Sequence, residues 1–217
     1  MADWEQRACA AQARHGDGAA RLPDDGDERQ RQLTRMGNAA WAAGLALLML
    51  RRREEAREWL IRAAETYRES WPEAPPGSWG RPIGAMKSRL IAGDLDGARA
   101  DAQWALDADA AKAESPIGRY AAALAQLVLD KDDAAAELVA SLGGAESIPP
   151  AVVDSLAALA ARDAASYEAA IRALVADFEA RDAYLEDTPV ADTVLALQAL
   201  AGERWIVIAL DSAVLPG

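Results

Sequence analysis

Four prolines constrain this chain more than any other feature. Pro82, Pro116, Pro150 and Pro189 recur at spacings of 34, 34 and 39 residues, each where a helix can begin. Proline suits the first helical position because its missing N–H would have no intrahelical partner there. Ser115 before Pro116 and Thr188 before Pro189 have the chemistry of N-caps for the same helices. Composition narrows the choice further, with 54 Ala and 24 Leu against a single Phe. Ala and Leu lead the helix propensities and aromatic residues favour strands, so the chain is expected to be all-helical.

Between these starts the pattern is a helix, a short polar break and a second helix with an alanine-rich face. The predicted pairs are 33–50 with 54–67, 83–91 with 95–106, 117–129 with 134–142, and 152–161 with 167–178. The breaks fall at 51–53, 93–94, 130–133 and 162–163. Apolar positions at steps of three, four and seven mark amphipathic helices, and small residues mark close crossings. A last helix is expected over 189–201.

Gly44, Ala56, Leu60 and Ala63 carry the spacing of small and apolar residues that typifies one repeat family, and Gly93, Ala98, Ala102 and Ala105 carry its second half. Tyr167-Glu168-Ala169-Ala170 matches the start of the second helix in a fourth unit. The chain therefore resembles the tetratricopeptide repeat, a helix–turn–helix unit of about 34 residues. That resemblance covers about residues 33–178 and lacks most of the family's first-helix tryptophan and tyrosine. It implies an all-α, right-handed α-α solenoid of about four helical hairpins with a C-terminal capping helix. Residues 27–217 would form this helical-repeat domain. Residues 1–26 stand outside it, with a short helix over 4–14 ended by His15-Gly16-Asp17-Gly18 and a linker over 22–26. They would form either a flexible segment or a cap anchored by Trp4.

Charge is uneven. Residues 1–25 carry a net −2, residues 26–90 a net +4, and residues 91–217 a net −14, giving −12 for the chain. The acidic portion repels nucleic acid and attracts a basic protein, although acidity also serves solubility alone. One Cys, Cys9, rules out an internal disulfide and fits a cytoplasmic location. One His, His15, rules out a multi-histidine metal site and leaves little for nucleophilic triads. The most apolar stretch, 39–50, is 12 residues, short of the roughly 20 that span a bilayer. No signal peptide, membrane span, metal site or cofactor is expected. The glycine-rich Gly77-Ser78-Trp79-Gly80-Arg81 lacks the ending of a phosphate loop.

Several residues are candidates for a partner surface. Trp79 lies in a stiff Pro/Gly connection over 71–82, where it either packs into a helix groove or anchors a partner. Arg81, Lys87 and Arg119 stand near the starts of first helices, where they would line a concave groove or pair with neighbouring acids. Asp177, Glu179, Asp182, Glu186, Asp187 and Asp192 fall within 16 positions and would face a basic partner or simply end solvated helices. Trp41, Trp59, Trp104 and Trp205 have apolar neighbours at helical spacing and are expected in the core.

Asp163, Tyr167, Ala170, Phe178-Glu179, Tyr184-Leu185, the Leu/Ala-rich 195–201 and the closing Ser212-Ala213-Val214-Leu215-Pro216 form an ordered series. This series resembles the C-terminal half of the immunity protein 49 family, helical antitoxins of bacterial toxin systems. It departs from that pattern at Arg181 and Tyr184-Leu185. The resemblance implies a non-enzymatic immunity protein that occludes a basic toxin. The alternative is a tetratricopeptide-like adaptor that binds a peptide in its concave groove. A third reading, a ligand-binding protein or enzyme with a pocket near Trp79 and Arg81, finds no catalytic motif to support it.

Overall fold

The computed structural model describes residues 3–217, and among them it holds ten α-helices, two short 3-10 turns and no strand. The helices are α1 (Trp4–Ala19), α2 (Gly26–Met49), α3 (Arg53–Glu69), α4 (Gly80–Ile91), α5 (Leu95–Asp107), α6 (Pro116–Val128), α7 (Asp132–Ala140), α8 (Pro150–Ala160), α9 (Ala164–Glu179) and α10 (Asp192–Glu203). Each helix from α1 to α9 packs against the next in sequence order, and α10 turns back onto α4 while also touching α8 and α9. None of these helices is long and apolar enough to cross a membrane.

The breaks are built alike. Arg51, Gly93, Asp130 and Arg162 have left-handed backbone, with φ of 62°, 68°, 55° and 54°. After each, the next residue's N–H reaches the carbonyl five positions back: Arg52 to Leu47, Asp94 to Arg89, Lys131 to Gln126 and Asp163 to Ala158. This is the Schellman stop, which satisfies carbonyls that a helix end leaves free. Asp94 and Asp163 then cap the following helix, accepting from the N–H of Gly97 and of Ala165 and Ser166. A left-handed stop followed directly by an N-cap folds the chain into a hairpin.

Close packing follows from small residues. A methyl on Gly44 would stand 2.6 Å from Leu60, so α2 and α3 cross at a distance that only glycine allows there. The Tyr67 ring of α3 is held between Gly37 of α2 and Gly84 of α4, each of which would bring a Cβ to 2.8 Å from it. Its hydroxyl donates to Asn38 Oδ1 at 2.8 Å.

Several expectations need correction. α1 runs on through Gly16 and Gly18 to Ala19, and His15 meets Trp59 of α3 edge-on at 5.4 Å. Burial of Ala8 and Ala11 against α2 outweighs the helix-breaking tendency of those glycines. Pro82 is the third residue of α4 and Pro189 precedes α10. Ser115 caps α6 as expected, whereas the Thr188 hydroxyl donates to the Glu186 carbonyl. Trp205 is 92% exposed, because it occupies the left-handed residue after α10.

The tail after α10 closes on the helices. Val214 and Leu215 are buried, the Val214 carbonyl accepts from the Ala191 N–H at 2.9 Å, and Ser212 donates to Glu179 at 2.6 Å.

Candidate functional site

The three basic candidates have different fates. Arg81, in the first turn of α4, is 7% exposed. Its Nε and Nη2 donate to Thr34 Oγ1 at 3.2 and 3.1 Å, and Nη2 also meets Gln30 Oε1. Gln30 in turn donates to Asp27 at 2.6 Å. No carboxylate pairs with Arg81 directly, and burial holds its pKa below the usual arginine value. Lys87 has its charge met by Asp192 at 2.5 Å and donates to Thr193 at 2.8 Å. Arg119, half-buried in α6, keeps its Nε buried without a partner.

Trp79 is buried in a cluster with Trp71 and Trp104, where ring centroids stand 5.6 and 5.5 Å from Trp71. A Cβ on Gly118 would come within 2.7 Å of its indole nitrogen, so Trp79 serves the packing of α4 on α6.

The acidic candidates do not form one free patch. Asp177 pairs with Arg181 at 2.6 Å, Glu186 with Arg14 at 3.1 Å and Asp192 with Lys87. Glu179 holds the tail through Ser212. Asp182 and Asp187 are exposed and make no ion pair within 4.0 Å among the described residues. The backbone carbonyl of Asp187 accepts from Arg7, so α1 is tied to this turn twice.

Sequence reasoning missed a buried charge cluster. Asp101 of α5 is 1% exposed and receives Arg68 at 2.8 Å and Arg89 at 2.7 Å, while Arg89 also reaches Asp94 at 2.5 Å. Only Asp94, in the Gly-Asp turn, carried a local signal. The other contacts join α3, α4 and α5.

Over residues 91–217, twelve of the 22 carboxylates make no ion pair within 4.0 Å among the described residues. Six of the eight basic residues there are already paired, leaving Arg119 and Lys131. The negative excess is therefore directed outward, not cancelled within the fold.

No protein-family model, curated protein or solved structure matches this chain. Among the described residues no group of three or more His, Cys, Asp or Glu side chains is placed to hold a metal ion.

Proposed function

We propose that this chain is a non-enzymatic binding protein whose hairpins stack as a tetratricopeptide-like solenoid, and that residues 91–217 engage a basic protein partner. The observation that carries this reading is the surplus of unpaired carboxylates over that portion, against two unpaired cations. Charge of one sign over a broad surface raises the rate of encounter with an oppositely charged partner and suppresses wrong ones. The repeated left-handed stops support the solenoid, since like turns give like hairpins. The specific form is an immunity protein that occludes a toxin, supported by the residue series from Asp163 to Pro216. The exposed, unpaired Cys9 suits the cytoplasm.

The groove-binding adaptor is the weaker reading. A peptide there would have to displace Asp192 and Thr193 from Lys87.

The test is calorimetric titration with the product of the adjacent gene at low and high salt. A complex that weakens at least tenfold with salt, and again when Asp133, Glu137, Asp154 and Glu203 are changed to Lys, is the expected result. A complex indifferent to both changes removes the charge mechanism. Absence of a complex removes the immunity reading.

A further inference from the structure

Arg81 is a buried cation with no acid of its own. Its Nε and Nη2 donate to Thr34 and Gln30, both neutral, while Nη1 is buried and has no hydrogen-bond partner. Buried charge without a counter-charge is costly, and native folds pair it. Arg81 lines a cavity of about 460 Å³ between α2, α4 and the 3-10 turn Leu185–Asp187. We propose that this cavity binds a small organic carboxylate with an apolar body, the anion hydrogen-bonded to Asn38 and held by the charge of Arg81 behind it.

The cavity walls divide by chemistry. Arg81, Thr34 and Asn38 supply polar groups on one side. Asn38 Oδ1 already accepts from Tyr67, which fixes the amide and leaves its Nδ2 hydrogens as donors. Trp41, Ile83 and Leu185 supply an apolar surface. Leu185 is 55% exposed at the rim, one of only three large apolar side chains this open among the described residues. An apolar group entering beside it would cover that surface. The volume lies within the usual range of small-ligand pockets, about 300–1,000 Å³.

The anion's class follows from Asp192, which also lines the cavity. Lys87 meets its charge at 2.5 Å, so the pair adds little net field. The cavity therefore offers one uncompensated positive charge, Arg81, which balances a monoanion and leaves half the charge of a phosphate dianion unmet. Apolar walls favour a carboxylate whose remainder is hydrophobic over a bare inorganic ion.

Binding is read by calorimetry and by the tryptophan fluorescence of the full chain, using 3-phenylpropionate, 3-phenylpropionamide and inorganic phosphate as probes. The acid is expected to bind, and the neutral amide and phosphate to bind at least tenfold more weakly, since a charge-assisted hydrogen bond is worth about a factor of ten or more. Arg81→Met and Asn38→Ala are each expected to weaken the acid about tenfold. Leu185→Ser, on an exposed turn, is expected to weaken it several-fold without shifting the unfolding temperature. If Arg81→Met does not fold, Asn38→Ala and Leu185→Ser carry the test. The proposal is overturned if the acid does not bind at several millimolar, if amide or phosphate binds as well as the acid, or if the folded variants bind it unchanged.

Discussion

Lys87 of α4 and Asp192 at the start of α10 form an ion pair at 2.5 Å, with both side chains largely shielded from water. The contact closes the molecule, because α10 follows α9 in sequence yet returns to a helix near the middle of the chain. Tyr67 and Tyr120 are both buried nearby. Burial first, then the Asp192 charge, pushes both phenols above their ordinary range. Among the described residues Lys87 is the one cation paired with Asp192, which also accepts from the Thr193 N–H at 2.8 Å, and the pair fixes where α10 lies.

Removing one partner should cost more than removing both. Lys87→Met leaves Asp192 half-buried without a cation and is expected to destabilise the fold by about 2–4 kcal/mol. Adding Asp192→Leu should recover part of that loss. Urea unfolding of the two single variants and the double variant gives the coupling. Strictly additive effects would mean that the pair holds nothing together.

Tyr67 makes a second joint testable. Its ring touches Gly37 on one side and Gly84 on the other, and both would place a Cβ at 2.8 Å. Gly84→Ala raises helix propensity by about 1 kcal/mol, yet overpacking against a buried ring costs about 1–3 kcal/mol. Net destabilisation in thermal unfolding is expected. Gly202→Ala, with nothing within 4 Å of the added methyl, should show the propensity gain alone.

These joints show what a sequence discloses. The four breaks between consecutive helices were legible because polar residues interrupt a helical period, and Gly44 against Leu60 was legible as a spacing of small and apolar residues. The left-handed stops at Arg51, Asp130 and Arg162 carried no glycine to announce them. Trp205 misled, because an indole signals burial and its exposure is decided by backbone geometry after α10. The return of α10 onto α4, and with it the cavity at Arg81, is a non-local arrangement that helical period does not encode. As sequence candidates, Arg81 and Lys87 belong to one concave groove and Asp192 to a separate acidic surface. The fold brings them to one cavity.

The stops themselves predict a gain. Arg51 and Trp205 both hold φ near 60° with exposed side chains and no ion pair among the described residues. Left-handed backbone costs an L-residue about 1–2 kcal/mol, partly offset by glycine's greater freedom when unfolded. Arg51→Gly and Trp205→Gly are each expected to stabilise by about 0.5–1 kcal/mol, read as a raised denaturant midpoint. A fall for Trp205→Gly would mean that the indole makes a contact worth more than the backbone relief.

Acid sensitivity is expected to centre on Asp132. Burial alone would raise its pKa, but hydrogen bonds from Arg204 at 2.6 Å and Arg162 at 2.7 Å outweigh it and hold the carboxyl below its ordinary value. A depressed folded pKa means that the stabilisation is complete above the unfolded value, about 3.9 for Asp, and is lost as pH falls through the folded one. Asp94, lowered by Arg89 against the same opposing burial, adds in the same direction. Asp132→Asn should therefore cost about 1–3 kcal/mol at pH 7, where it leaves the buried Arg204 with the more distant Asp130, at 3.5 Å, as its one carboxylate. The gap to the parent chain should narrow as pH drops below about 4, because the parent loses the same charge by protonation. Parallel urea midpoints from pH 7 to pH 2 measure that gap. A gap constant with pH would place the contribution of Asp132 in packing and remove its charge from the account.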